Sequence, residues 1–174
     1  MSAIIRDRVR KQLHEAEGYL MLELPRHALA ILESRPEWFG MQFEACFLKG
    51  EALRSLERYR EALQPLETAA SLRPGDTGVA LALGWCYKRT NRLAQAIDAL
   101  DRARRHDPEN ALLHYNLACY WSLAANTGKA LEALSAALRL DSKLRDLIAA
   151  ERDFHNLRGN PAFDRLLVDS AASK

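Results

Sequence analysis

The sequence lacks a strong excess of charge of either sign. Its 25 lysines and arginines are nearly balanced by 23 aspartates and glutamates, which gives a formal net charge of +2 at pH 7. Proteins that hold nucleic acid through its phosphates usually concentrate far more positive charge. We therefore expect no nucleic-acid partner.

Long apolar runs are also missing. A membrane-spanning helix needs about 20 apolar residues in succession, and the most apolar stretch, 111–125, is interrupted by His114 and Asn116. The first residues, MSAIIRDRVRKQ, carry arginines and an aspartate where a secretory signal would have an apolar run. These features predict a cytoplasmic protein with no membrane partner.

Cysteine is scarce, and its spacing excludes two classes of site. The chain has three cysteines, Cys46, Cys86 and Cys119, which lie far apart in the sequence. Neither a disulfide framework nor a zinc site built on Cys-x-x-Cys has this spacing. We expect buried thiols in a reducing compartment.

Motifs of catalysis are absent as well. The sequence contains no His-Glu-x-x-His, no Gly-x-Ser-x-Gly and no phosphate-binding loop ending in Gly-Lys-Ser or Gly-Lys-Thr. Its five histidines show no metal-ligand spacing. We therefore expect no catalytic, cofactor-binding or metal-binding residues, and no enzyme.

What the sequence does contain is a repeat with a period of about 34 residues, clearest from Gly75 to Pro108. The first half of each period has a small residue, followed three positions later by a large one: Ala16, Gly50, Gly84 and Ala118, then Tyr19, Leu53, Tyr87 and Trp121. The second half has an alanine and, four positions later, a leucine: Ala28, Ala62, Ala96 and Ala130, then Leu32, Leu66, Leu100 and Leu134. Helices approach closely where one side chain at the crossing is small, so the period predicts pairs of packed helices.

This pattern resembles the tetratricopeptide repeat, in which a small residue and an aromatic on one helix face alanines and a bulky apolar residue on the next. The resemblance covers roughly four fifths of the chain. It implies an all-α fold, a right-handed α-α superhelix (solenoid) of about four helix-turn-helix repeats with C-terminal capping helices. The implied single domain, 1–174, comprises repeats at about 9–42, 43–76, 77–110 and 111–144 and a cap at 142–169.

Local signals predict the helix ends. We expect helices at about 3–22, 25–34, 41–56, 59–72, 77–90, 92–106, 111–125 and 128–140, then one that is capped by Ser142 and continues to about Glu151, and a short one opened by Asn160-Pro161. Asp76 and Asp107 are placed to cap helices, and Asn91 to break one. In the loop after Pro36, Trp38 and Phe39 are expected to fill the seam between neighbouring repeats.

The tail from Glu151 to Leu167 is similar to a closing segment of bacterial tetratricopeptide proteins, with an acidic-aromatic pair, a Leu-Arg and a Pro-x-Phe after the last repeat. A stack of helix pairs exposes an apolar face at its end, so a cap is required. Phe154, Leu157 and Phe163 are therefore expected to be cap residues.

The resemblance also implies a binding groove. In a tetratricopeptide stack the first helices line a concave wall, and the residues that face it recur at i, i+4 and i+7. In this sequence those positions are Leu13, Glu17, Leu20, Phe47, Glu51, Arg54, Leu81, Trp85, Lys88, Tyr115, Cys119 and Ser122. Aromatic and arginine side chains dominate binding energy at interfaces, so the groove suits an extended peptide or an amphipathic helix with apolar anchors and an acidic residue. The alternative is that Trp85 and Tyr115 only pack on adjacent repeats or on the cap.

The main functional hypothesis is a protein–protein interaction module, a scaffold or adaptor that binds a partner segment in the groove. A narrower alternative is a chaperone of secreted substrates, similar to the type III secretion translocator chaperones. A third is a structural module that associates with itself as a homodimer. This alternative would be favoured by the loop aromatics and by the first repeat, 9–42, which matches the pattern least well. Family members that act as heat-shock co-chaperones hold an acidic chain end with a clamp of lysines, asparagines and an arginine. That function is not expected here, because most of the clamp positions are occupied by Phe47, Glu51, Leu81 and Trp85.

Overall fold

The computed structural model describes residues 3–34, 38 and 40–168, and these form helices joined by turns. The α-helices are α1 (Ala3–Met21), α2 (Pro25–Glu33), α3 (Gln42–Ser55), α4 (Tyr59–Leu72), α5 (Thr77–Arg89), α6 (Leu93–His106), α7 (Ala111–Leu123), α8 (Thr127–Leu140), α9 (Arg145–Ile148) and α10 (Pro161–Val168). Short 3-10 helices span Ser142–Leu144 and Arg152–Leu157. The expected all-α class is confirmed.

Two compact units divide the chain, Met1–Arg92 and Leu93–Lys174. In the first unit, α1 pairs with α2 and α3 with α4, and α5 packs on both α3 and α4. In the second, α7 pairs with α8, α6 packs on α7, and the 3-10 helix Arg152–Leu157 covers another side of α7. The first helices α1, α3 and α5 therefore lie next to one another within one unit.

The periodic residues form the cores of the two units. All the small residues of the first helices are buried, and so are the alanines and leucines that recur on the second helices. At the crossing of α3 and α4, a side-chain carbon added to Gly50 would overlap the side chain of Leu66. The period thus places small residues where two helices touch, as predicted.

The turns inside the repeats share one backbone geometry. Each has a residue of positive φ at the same place in its repeat: Glu23 (57°), Glu57 (58°), Asn91 (61°) and Ala125 (56°). The following N–H donates to the carbonyl at the end of the first helix, at Leu24–Tyr19 (2.8 Å), Arg58–Leu53 (2.9 Å), Arg92–Tyr87 (2.8 Å) and Asn126–Trp121 (2.9 Å). This is a Schellman ending, and of its left-handed residues only Asn91 is a type that favours that conformation.

Most helix ends agree with the sequence within a turn, and two caps do not. Asp76 caps α5 through the N–H of Val79 at 2.9 Å, as expected. Asp107 does not cap α7, because Asn110 directly precedes that helix and accepts from its first turn. The segment after α8 also differs: Asp141 caps a 3-10 turn, and α9 ends at Ile148 instead of continuing toward Glu151.

Trp38 is 5% exposed, which agrees with the packing role expected for it. Phe39 lies outside the described residues. The predicted cap residues Phe154, Leu157 and Phe163 are at most 1% exposed. Among the described helices, none combines the length and the apolar character needed to cross a lipid bilayer.

Candidate functional site

The first unit brings the predicted groove residues of α3 and α5 together. We call this set the α3–α5 surface: Phe47, Glu51, Arg54, Leu81, Trp85 and Lys88. A side-chain carbon added to Gly78 would lie 3.3 Å from the Phe47 ring, so this ring spans from α3 to the start of α5. Phe43 stacks on Phe47 with ring centroids 6.2 Å apart and extends the aromatic row by one turn.

Trp85 is the most exposed large apolar side chain of α5. Its exposed fraction is 40%, whereas its neighbours Gly84 and Cys86 are buried. The Lys88 ammonium lies 4.9 Å from the centroid of the Trp85 ring, one helical turn away. An exposed indole beside a cation can hold an apolar group and an acid at adjacent points of a partner.

Arg54 is paired with an acid on its own helix. Its Nε and Nη2 donate to the two carboxylate oxygens of Glu51, each at 2.8 Å. This hydrogen bonding with Glu51 raises the pKa of Arg54, and the two charges neutralise each other. Lys88 and Arg89 carry further positive charge at the end of α5, and the Arg89 guanidinium lies 5.1 Å from the ring of Tyr59.

The predicted residues of α1 are divided between core and surface. Leu13 is 6% exposed and belongs to the core. Glu17 is exposed, with a carboxylate oxygen 3.8 Å from Nδ1 of His14, and Leu20 is half-buried. On α1, Glu17 and Leu20 remain accessible, while Leu13 does not.

The predicted residues of α7 are covered by the chain itself. Tyr115 is 6% exposed, Cys119 3% and Ser122 0%. The Phe154 ring meets Tyr115 edge to face at 5.6 Å, and Nδ2 of Asn156 donates to the carbonyl of Ser122 at 2.9 Å. The 3-10 helix Arg152–Leu157 therefore covers this face of α7.

Burial also changes the chemistry of that face. It raises the pKa of Tyr115, and the hydroxyl has no hydrogen-bond partner among the described residues. All three cysteines are buried and free of disulfides, and burial raises the pKa of Cys86 to about 11. Buried thiols with raised pKa values are weak nucleophiles.

Sequence reasoning missed two residues beside the α3–α5 surface. Phe43 lies four positions before Phe47, so stepping the i+4 register back one turn would have found it. Arg73 lies with its guanidinium 3.7 Å from the Phe43 ring centroid and pairs with Glu44. It comes from the end of α4, and no periodic signal connects it to α3.

Comparisons with known proteins agree with this architecture. A family model described as "Tetratricopeptide repeat" matches residues 53–118. The crystal structure of MamA has a TM-score of 0.72 at 19% identity, covering 79% of this chain and 81% of that one. MamA from Desulfovibrio magneticus RS-1 has a TM-score of 0.71 at 19% identity, covering 97% and 98%.

A further solved structure is that of YrrB, described as a tetratricopeptide protein with an unusual peptide-binding site. Its TM-score is 0.68 at 23% identity, and the match covers 78% of this chain and 70% of that one. At these identities the likeness shows the fold. No curated protein matches the sequence.

Proposed function

We propose that this chain, in which residues 53–118 match the tetratricopeptide repeat model, is a non-enzymatic interaction module whose α3–α5 surface holds a segment of a partner protein. One observation carries the proposal: Trp85 is 40% exposed at a groove position of α5. Leaving a large aromatic in water forgoes the free energy of burying it, and aromatic side chains of this kind are the usual anchors of interfaces.

The side chains of the surface suggest what such a segment carries. Phe47, Leu81 and Trp85 offer apolar contact, so the segment needs apolar anchors. Lys88 places positive charge beside the indole, whereas the Arg54–Glu51 pair is internally neutralised, so an acidic residue near the Trp85 anchor is favoured over a basic one. An amphipathic helix or an extended peptide of this composition meets both requirements. The description of YrrB as peptide-binding supports a peptide as the partner class.

We further propose that the repeats and the cap act as one cytoplasmic domain, with a protein partner in preference to nucleic acid or membrane. The near balance of charge supports the first exclusion. A scaffold or adaptor role is favoured over a chaperone of secreted substrates, because the accessible surface is a short stripe on two helices. Such a stripe suits one defined segment better than many unfolded chains.

The test compares three forms of the full chain as bait for affinity capture from native lysate, followed by binding of each captured protein in purified form. Trp85→Ala should keep the helix content, since the side chain is partly in water, and lose the partners that the native chain binds directly. Leu147→Ala is the matched control, because Leu147 is also an exposed apolar residue (53%) but lies on α9. Equal binding by Trp85→Ala and the native chain would overturn the proposal.

A further inference from the structure

Three second helices carry a carboxylate at the same position of the repeat: Glu33, Glu67 and Asp101. In the first unit these side chains contact the helix that follows. Glu33 lies 3.3 Å from the Lys49 ammonium on α3. The hydroxyl of Tyr87 on α5 donates to Glu67 at 2.8 Å. At these two junctions, a carboxylate on the second helix of one pair interacts with a side chain on the first helix of the next pair.

The corresponding junction in the second unit is built differently. Asp101 is shorter than Glu67 by one methylene, and it turns toward its own helix. Its Oδ1 accepts from Nη2 of Arg104 at 2.6 Å and its Oδ2 from Nη2 of Arg105 at 2.6 Å. Trp121 occupies the position in its repeat that Tyr87 occupies in the preceding one. Among the described residues, its indole N–H has no hydrogen-bond acceptor.

A pocket of about 460 Å³ opens at this junction, between α6, α7 and α8. The apolar part of its wall is formed by Ala94, Ile97, Leu117, Trp121, Ala133 and Ala136. This volume lies within the range of sites that hold small ligands or inserted side chains, roughly 300–1,000 Å³. We call it the α6–α8 pocket.

The two aspartates that line the α6–α8 pocket are already matched by cations. Asp101 is paired with two guanidinium groups, as described above. Asp98 is paired with Arg102 at 3.1 Å. Neither carboxylate therefore needs a further cation from a ligand.

A cation lies against the indole of Trp121 in the α6–α8 pocket. The Lys129 ammonium lies 4.2 Å from the centroid of the Trp121 ring. The remaining acid of the lining, Glu132, is exposed and can turn to water. The Nε2 atom of His114 lies 2.8 Å from the carbonyl oxygen of Pro108, so this ring is held by its own turn. Trp121 and Lys129 thus place a hydrogen-bond donor and a cation next to each other in the lining of the pocket.

We propose that the α6–α8 pocket binds a carboxylate on a short apolar stem, contributed by a partner peptide. The Glu67–Tyr87 bond shows the geometry within the same chain: a carboxylate of glutamate length reaches the aromatic donor of the next helix. In the α6–α8 pocket the partner's carboxylate takes the place that Asp101 is too short to fill. Trp121 Nε1 donates to it, Lys129 balances its charge, and Ile97 and Leu117 contact the stem. This site is separate from the α3–α5 surface and does not depend on it.

The test follows the indole N–H signals of the full chain, labelled with nitrogen-15 tryptophan, by nuclear magnetic resonance. The sequence has three tryptophans, and Trp121→Phe assigns the relevant signal. N-acetylglutamate amide should shift the Trp121 signal saturably, while N-acetylglutamine amide, which has the same shape and no charge, should leave it in place. N-acetylalanine with a free carboxylate tests the second source, a chain end: whichever of the two carboxylate probes binds more tightly identifies the source.

Asp101→Glu is the decisive variant, because it restores the missing methylene. We expect Glu at this position to accept from Trp121 itself, to shift the indole signal without any probe, and to weaken carboxylate binding by about tenfold or more. Lys129→Gln should also weaken it. An unchanged Trp121 signal with both carboxylate probes, an equal shift with the glutamine probe, or undiminished binding by Asp101→Glu would each overturn the proposal.

Discussion

Left-handed backbone at Glu23, Glu57 and Ala125 gives a local cost that glycine would remove. An L-residue in this conformation costs about 1–2 kcal/mol. We therefore expect Ala125→Gly to raise the free energy of unfolding by about 1 kcal/mol, since Ala125 has a φ of 56° and is exposed. Chemical denaturation of the variant measures the change.

Ala124→Gly provides the matched control for that substitution. Ala124 is the adjacent residue, also exposed, with a φ of −77°, so glycine there gives no relief and loosens the unfolded chain. It should lower the free energy of unfolding by about 0.5–1 kcal/mol. If both variants changed stability in the same direction, left-handed strain at the turn would not be the cause.

The crossing of α3 and α4 sets the opposite constraint at Gly50. Gly50→Ala would place a methyl group inside the contact distance of the Leu66 side chain, and overpacking of this kind costs about 1–3 kcal/mol. Gly18→Ala on α1 meets no atom within 4 Å and should be neutral or stabilising by up to about 1 kcal/mol through helix propensity. Thermal melts of the two variants should therefore move apart, and an unchanged melt for Gly50→Ala would contradict the packing role.

At the level of elements, α5 and α7 have a tyrosine in opposite situations. Tyr87 donates to Glu67, whereas the Tyr115 hydroxyl is buried beneath the cap without a partner among the described residues. Tyr87→Phe should lower stability by about 0.5–1.5 kcal/mol, the net value of a hydrogen bond. Tyr115→Phe should leave stability unchanged or raise it, because it removes a buried hydroxyl that makes no hydrogen bond with the described residues. Chemical denaturation of both variants measures the contrast.

The pH dependence of Tyr115 provides a second measurement of the same prediction. Burial raises the pKa of Tyr115 in the folded protein, because it disfavours the charged form. The stability contributed by keeping this hydroxyl neutral is fully present below the pKa of about 10 that tyrosine has in the unfolded chain. As the pH rises above that value, the unfolded chain loses the proton first and stability falls. Unfolding monitored across the alkaline range should show a smaller loss in Tyr115→Phe than in the native chain.

The elements themselves could be predicted from sequence because their signals are local. Proline at position 161, the cap at Asp76 and the repeat period place helices without knowledge of the fold. The cap of α7 is assigned wrongly to Asp107 by sequence, because Asn110 carries an equivalent acceptor one turn later. Only the path of the chain decides between them.

The candidate site was predicted only in part, for a physical reason. Phe47 and Trp85 follow from the register of single helices. The burial of Tyr115 depends on Phe154, which lies beyond the whole of α8 in the sequence, and no periodicity connects a 3-10 segment to the helix it covers. Likewise, the spacing of Glu51 and Arg54 allows an ion pair, but only the side-chain conformations show that this ion pair forms.

For the molecule as a whole, the interaction-module proposal predicts a monomer. The loop aromatic that favoured self-association, Trp38, is buried. Sedimentation of the native chain should therefore give a mass near 19.6 kDa that does not change with concentration. A mass that rises with concentration, and falls back in Trp85→Ala, would instead make a second copy of this chain the occupant of the α3–α5 surface.

The common geometry of the turns makes the repeat interchangeable in a practical sense. The segment from Arg58 to Asn91 begins just after one left-handed residue and ends on the next. A second copy of this segment inserted after Asn91 would meet, at both of its ends, the same backbone angles and the same closing hydrogen bond that it has now. The chain is therefore suited to lengthening by in-frame duplication, whether by gene duplication or by design, with every splice placed at a position whose conformation is already specified.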